Sequence, residues 1–276
     1  MKIDSHQHFW KYNPLEFGWI NEQMHVIRQN FLPNDLQEVL NQTGYQGSVA
    51  VQARQNTEET AWLLELSANH NFICGVVGWV DLCSPKLVMQ LDEFSKYEKF
   101  VGVRHVIHDE PDIDFMLRAE FLKGISLIGK YNLTYDILVF PKHLANTIQL
   151  VKLFPDQVFI LDHIAKPDIK NQLLSPWKED IQKLATYPNV FCKVSGMVTE
   201  ANWNSWKQED FNPYLDVVFE NFGSDRVMIG SDWPVCTVAG SYGHVMNIVE
   251  DYIQPFSIQE KAAVTGDNAK RLYQLK

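Results

Sequence analysis

Residues 100–108 read FVGVRHVIH, a β-branched run in which Val101, Val103, His105 and Ile107 form one alternating set and Gly102, Arg104, Val106 and His108 the other. Successive side chains of a strand point to opposite faces. One face here is apolar, suited to packing under helices, while the other carries Arg104 and His108. A cation inside an otherwise apolar strand demands an interior that can satisfy it, as a barrel can. Seven similar runs lie at residues 2–9, 47–53, 73–81, 133–140, 158–165, 190–197 and 227–233. Helical patterns separate them: Glu58 to His70, with Trp62, Leu63 and Leu66 on one side, Pro85 to Tyr97, Met116 to Tyr131 and Trp177 to Tyr187.

Such alternation requires parallel strands joined by crossover helices, and eight βα units in about 250 residues is the count that closes a barrel. The predicted fold is a (β/α)8 TIM barrel of the α/β class, with residues 1–276 as a single domain. A doubly wound open sheet is disfavoured, because no glycine-rich phosphate loop follows any strand. Ser257 and Glu260 spell a capping box ahead of a final helix reaching Leu275, expected to complete the ring.

Composition removes whole classes of function. The chain is 46% apolar and 12% aromatic, as a packed globular protein requires, and its 24 Lys and Arg against 34 Asp and Glu leave a net charge of -10. An acidic surface repels phosphate backbones, so neither nucleic acid nor an anionic membrane is an expected partner. Cys74, Cys83, Cys192 and Cys236 lack metal-knuckle or disulfide spacing, and they read as small buried filler in a reducing compartment. The first ten residues carry His and Asp where a signal peptide needs an apolar core. The expected location is therefore the cytoplasm; no feature assigns an oligomeric state.

Strand register selects candidate site residues. Asp4, His6, His8 and Trp10 share one face of the first run, opposite Ile3 and Phe9. Gln52 and Arg54 oppose Val49 and Val51 in the second, and Trp79 and Asp81 oppose Val76 and Val80 in the third. Arg104 and His108 face inward in the fourth, Asp136 joins Thr134 in the fifth, and His163 follows Phe159 and Leu161 in the sixth. Lys193 and Ser195 oppose Val190 and Val194 in the seventh, and Asp232 follows Met228 and Gly230 in the eighth. Most of these polar residues fall near the C-terminal ends of strands, where barrel enzymes assemble their sites.

A lone strand histidine is usually a hydrogen-bonded structural residue, which is how His25, His70, His105, His143 and His244 are read. Arg54 fits a structural ion pair as well as a ligand contact, and Trp79 and Trp233 fit packing as well as a ligand platform. The combination of His6 and His8 at the first strand, His163 at the sixth and Asp232 ending the eighth is different. Burying three imidazoles with a carboxylate costs too much to serve packing alone.

The stretches DSHQHFW (4–10), LDHIAKPD (161–168), CKVSGM (192–197), GSDWP (230–234) and GDNAKRLY (266–273) resemble the amidohydrolase superfamily, specifically its amidohydrolase-related family 2. VQAR (51–54), GWVDL (78–82), GVRHVIHDEPD (102–112) and GMVTEANW (196–203) are similar to its sugar-lactone hydrolase branch, typified by L-fuconolactonase. The resemblance implies hydrolysis of a sugar lactone, L-fucono-lactone first, with Asp232 as catalytic base and His6, His8 and His163 as catalytic histidines. Binuclear members carry a carboxylated Lys or a Glu on strand four and a His on strand five, whereas Arg104 and Asp136 stand there. A two-metal centre is therefore not expected. One divalent ion, Zn or Mn, could sit on His6, His8, His163 and Asp232; the branch also contains enzymes that need no metal.

In the expected chemistry Asp232 activates water, while the histidines stabilise the oxyanion directly or through the ion. Arg104 and Lys193 would donate to the carbonyl or to sugar hydroxyls. Gln52, Arg54, Trp79, His108 and the loop around Glu200 and Trp203 would recognise substrate. With Arg54, Arg104 and Lys193 gathered near Asp232, a locally basic interior is predicted. No G-x-S-x-G elbow offers a nucleophile for an acyl-enzyme. The alternatives are an L-rhamnono- or dicarboxylate-lactone hydrolase, a metal-dependent amidohydrolase or decarboxylase acting on an aromatic acid, and a non-catalytic carbohydrate-binding barrel.

Overall fold

A computed structural model describes residues 1–276. Its eight strands are β1 (Ile3–Gln7), β2 (Gly47–Val51), β3 (Ile73–Gly78), β4 (Phe100–Val106), β5 (Thr134–Leu138), β6 (Phe159–Leu161), β7 (Val190–Val194) and β8 (Val227–Ile229). They form one sheet in chain order, and every neighbouring pair is parallel. The helices that follow the strands in turn are α1 (Pro33–Thr43), α2 (Thr57–Asn69), α3 (Leu87–Phe94), α4 (Ala119–Ile128), α5 (Leu144–Leu153), α6 (Trp177–Leu184), α7 (Asn212–Phe222) and α8 (Tyr242–Tyr252). That order is a (β/α)8 barrel.

The barrel closes through the backbone just beyond β8. Gln7 and Trp233 form a parallel bridge. The Asp232 N–H donates to the His6 carbonyl at 2.8 Å, and the His8 N–H donates to the Trp233 carbonyl at 2.7 Å. Closure is thus made by the same segments that carry His6, His8 and Asp232.

Every strand stops before its predicted end, most clearly β6, which ends at Leu161 rather than residue 165. Those last residues leave the hydrogen-bonded ladder to form the rim. The predicted alternation also fails in β1, which pairs Asp4 with Ser48 but Gln7 with Ala50 and so holds one extra residue. This bulge turns Asp4 away from the histidines. Its carboxylate accepts instead from the Ser231 N–H at 2.9 Å and the Ser231 hydroxyl at 2.5 Å.

Outward residues such as Val76, Val103, Leu161 and Val194 join the helices in a large apolar shell. The interior does not follow a simple apolar-out rule, however. Ile3, Val49, Val51, Val77, Ile160 and Met228 form a second apolar cluster with Ala269, Tyr273 and Leu275. These fill the barrel end remote from the rim, which must be packed as core because it holds no ligand.

The predicted capping box is present: the Glu260 N–H donates to Ser257 Oγ at 3.2 Å and the Ser257 N–H to Glu260 Oε2 at 2.9 Å. The helix it starts does not complete the ring, which α8 already closes. It runs as α9 (Ile258–Ala262), a wide π turn and α10 (Asn268–Leu272). The wide turn passes Gly266 against the N-terminus, where a Cβ would stand 2.0 Å from the Met1 carbonyl oxygen. Beyond it, Tyr273 plugs the barrel floor. No helix is long and apolar enough to cross a membrane.

Candidate active site

The rim residues converge on Asp232 and His8. His8 Nδ1 lies 2.8 Å from the Val51 carbonyl oxygen, which can only accept, so Nδ1 carries the proton and Nε2 presents its lone pair to the cavity. The two Nε2 atoms of His6 and His8 stand 3.2 Å apart. Asp232 Oδ1 lies 3.3 Å from His8 Nε2, 3.9 Å from His6 Nε2 and 3.8 Å from His163 Nε2. His163 reaches the group because its backbone is left-handed, φ 54° and ψ 34°, one step after an inward-facing Asp162. Asp232 is left-handed as well, at φ 58°. Gly196, at φ 59°, lets β7 leave the barrel beneath them; a Cβ there would stand 2.6 Å from His163 Nδ1 and 3.1 Å from Asp232 Oδ2.

Beneath the histidines lies a fully buried charge network. Asp162 Oδ2 is 3.0 Å from Arg104 Nη1, and its Oδ1 is 3.0 Å from Lys193 Nζ and 3.3 Å from His6 Nδ1. Lys193 also donates to Asp136 Oδ2 at 2.5 Å, the atom that accepts from the Tyr273 hydroxyl at 2.6 Å. Burial works to raise the Asp162 carboxyl, but Lys193, His6 and Arg104 override it and hold the group well below the usual carboxylate range. Burial wins at Asp136, which is raised despite Lys193.

Burial drives His6 and His163 far below the ordinary imidazole range, so both are neutral. Burial also opposes ionisation of Asp232. His163 and the adjacent His8 outweigh it, and Asp232 is held below its ordinary value as a carboxylate.

A cavity of about 300 Å³ opens above this floor, at the small end of ligand sites. Arg104, His8, His163 and Asp232 face it from below, and Trp10, Trp19, Met24, Leu138, Phe140 and Trp203 wall it. His108 stacks on Phe140 with ring centroids 4.6 Å apart. Burial, then Lys166 and Arg104, push its imidazole down to about 3. Its Nε2 faces Asp109 Oδ1 at 3.3 Å, while Nδ1 is buried without a protein partner. Glu200 and Trp203 line the same cavity, as the sequence predicts.

Four predicted contacts lie elsewhere. Gln52 is buried against Arg104, accepting from its Nε–H at 3.0 Å and Nη2–H at 2.7 Å, so it holds Arg104 rather than facing the cavity. Lys193 lies under His6 with no exposed surface, spent on Asp136 and Asp162. Arg54 follows the chain outward after β2, pairing with Glu16 at 2.7 Å and Glu59 at 3.4 Å beside a separate cavity. Trp79 leaves the barrel where β3 ends and donates its indole N–H to His105 Nδ1 at 3.2 Å in the outer layer. The interior is consequently not basic: Arg104 and Lys193 are matched by Asp162 and Asp136. Register reasoning missed Asp162 by one residue, although a lone Asp following the apolar run Phe159–Leu161 marks it. It also missed Lys166, which faces the cavity beside Glu200.

A family model described as amidohydrolase matches residues 3–275. The chain belongs to the amidohydrolase family. An L-fucono-1,5-lactonase of Burkholderia multivorans is 36% identical to this amidohydrolase over 286 residues, covering 100% of the chain and 96% of that relative. An L-fucono-1,5-lactonase of Burkholderia ambifaria is 33% identical over 281 residues, covering 99% of the chain and 96% of the relative. A crystal structure of a Burkholderia multivorans amidohydrolase with bound zinc superposes with a TM-score of 0.97 at 36% identity, covering both chains completely.

The donor atoms of this amidohydrolase suit one small ion. Tetrahedral zinc with bonds of about 2.0–2.1 Å spaces its ligand atoms by about 3.3 Å. Among His6 Nε2, His8 Nε2 and Asp232 Oδ1 the separations are 3.2, 3.3 and 3.9 Å. A second donor group, His6 with Asp162 and His163, shares His6 with the first. Arg104 and Lys193 already occupy the space around Asp162, which leaves no place for a second cation.

Proposed function

We propose that this chain hydrolyses a sugar lactone to the aldonic acid, with L-fucono-1,5-lactone as preferred substrate, using one amidohydrolase domain over residues 1–276 in the cytoplasm. The observation that carries it is the ionised Asp232 carboxylate set beside His8 and the neutral imidazoles of His6 and His163 at the floor of a small aromatic-walled cavity, in a chain 36% identical to an L-fucono-1,5-lactonase over its full length.

Asp232 accepts a proton from water as the water oxygen bonds to the lactone carbonyl carbon. The carbonyl oxygen becomes an oxyanion in a pocket where the His163 imidazole and the Arg104 guanidinium favour negative charge. Collapse breaks the ring C–O bond, and Asp232 returns its proton to the departing alkoxide, leaving a hydroxy acid that loses its own proton to solvent. His108 offers an Nδ1 lone pair to a sugar hydroxyl, and the aromatic walls pack the ring's apolar face. Asp162, Gln52 and Lys193 act one layer down by fixing His6 and Arg104. His6, His8 and Asp232 would hold a zinc or manganese ion, with His163 beside it; the ion would lower the pKa of water and polarise the carbonyl.

A pH-indicator assay over a lactone panel tests this reading. L-Fucono-1,5-lactone is expected to give the highest kcat/KM, with L-rhamnono- and galactono-lactones at least about tenfold lower, as a mispaired hydroxyl in a polar pocket costs that much or more. A preferred dicarboxylate lactone or aromatic acid would contradict it. Calorimetric titration of chelator-treated protein with Zn2+ is expected to give one site per chain, lost in the His8→Asn/Asp232→Asn double variant. Two ions per chain would contradict the single-ion centre.

A further inference from the structure

Hydrolysis needs a hydrogen-bond donor that is free to meet substrate oxygen, and counting donors shows which cation has one. Arg104 commits its Nε–H to Gln52 Oε1, its Nη2 to the Gln52 carbonyl and Oε1, and its Nη1 to Asp162 and His6. Lys193 is fully buried beneath His6, its ammonium donating to Asp136 at 2.5 Å and paired with Asp162 at 3.0 Å, and it does not line the cavity. Lys166 has one partner, Glu200 Oε1, and its remaining N–H bonds are uncommitted. Its side chain is 14% exposed and faces both the 300 Å³ cavity and a larger outer one of about 940 Å³. Thr199, Glu200, Trp203 and Phe140 likewise border both, so the Lys166–Glu200 pair stands at the boundary between them.

The backbone is bent to put it there. His163, Ile164, Ala165 and Lys166 have φ of 54°, 47°, 60° and 53°, four consecutive non-glycine residues in the left-handed region. Each is a conformation that L side chains disfavour, and the β-branched Ile164 tolerates it worst. The Lys166 N–H donates to the His163 carbonyl at 2.7 Å, closing a turn in which residues three apart share a side. His163 and Lys166 thus face the cavity together while Ile164 and Ala165 enter the core. The Trp177 indole N–H pins the turn through the Ile164 carbonyl at 2.7 Å. Strain of this kind persists where the placement it secures is used.

We propose that Lys166 is a further catalytic residue of the lactonase site: its ammonium donates to the lactone carbonyl oxygen as charge builds there, then holds the carboxylate of the opened product. Glu200 is its positioning partner, holding the ammonium between turnovers and competing with the product carboxylate for it. The assignment rests on the lactonase reading for its substrate, while its anion-binding half stands on geometry alone.

The test compares wild type with Lys166→Met, Lys166→Arg and Glu200→Gln by two readouts, turnover of L-fucono-1,5-lactone and calorimetric binding of its product, L-fuconate. Lys166→Met is expected to lose about a hundredfold or more in kcat, the usual cost of one oxyanion donor, and to bind L-fuconate at least about tenfold more weakly. Lys166→Arg should recover at least a tenth of the lost rate, and Glu200→Gln should bind L-fuconate several-fold more tightly. Lys166→Met with kcat and L-fuconate affinity both within about threefold of wild type would overturn the proposal. If Lys166→Met did not fold, unchanged or weaker L-fuconate binding in Glu200→Gln would overturn it instead. Wild type that bound L-fuconate through Lys166 yet opened no lactone would sink the lactonase reading and leave the anion site standing.

Discussion

Asp232→Asn lowers kcat on L-fucono-1,5-lactone by at least about a hundredfold, the usual worth of a general base, while leaving the fold intact. The substitution keeps the shape of the side chain and an acceptor oxygen, and removes both the capacity to take a proton from water and the anionic donor of the candidate ion site. The backbone tolerates the change, because Asn is among the few residues that adopt the left-handed conformation readily and Asp232 sits at φ 58°. Closure of the barrel beside it depends on the main chain, through the Asp232 N–H to the His6 carbonyl. A variant with an unshifted thermal melt and more than about a tenth of the wild-type kcat would show that the base lies elsewhere.

Asp162→Asn should be the most damaging single change to stability. Its carboxylate answers Lys193 and Arg104, each at 3.0 Å, and all three groups are buried. Removing one member of a buried ion network leaves charge uncompensated and costs about 3–5 kcal/mol. For a chain of this size that corresponds to a fall in Tm on the order of 10 °C. Activity falls as well, by about 10–100-fold, because His6 loses the carboxylate that orients its ring. A calorimetric Tm within about 2 °C of wild type would show that Asp136 and water take over the pairing.

These two residues mark where the sequence was legible and where it was not. All eight strands, the order of the barrel and the group of His6, His8, His163 and Asp232 follow from period-two patterning and a polar residue near each strand end. The pattern fails where strands stop being strands. β6 leaves the ladder after Leu161, so counting by twos aims His163 inward when it is Asp162 that continues the register. His163 arrives by a left-handed turn, and nothing in the side chains of Ile164 or Ala165 advertises such a backbone. The β1 bulge misplaces Asp4 for a related reason: one unpaired residue shifts every face after it.

Arg54, Trp79, Gln52 and Lys193 share another cause. Sequence shows that a polar residue is near a site, whereas its partner decides whether it faces ligand. Glu59 draws Arg54 outward, His105 engages Trp79, Arg104 takes Gln52, and Asp136 with Asp162 takes Lys193. Those partners lie far along the chain and become visible only once the barrel is closed. The same pairing removes the basic interior that a count of Arg and Lys suggests, and it leaves Lys166 as the cavity cation with hydrogens to give.

The most direct measurement is the rate of acid release from L-fucono-1,5-lactone by the purified wild-type protein, followed with a pH indicator against spontaneous ring opening. Saturable hydrolysis is expected, with kcat/KM of about 10⁴ M⁻¹s⁻¹ or higher, in the normal range of enzymes on their own substrates. Acid release no faster than in buffer, from protein whose thermal melt shows it folded, would contradict it.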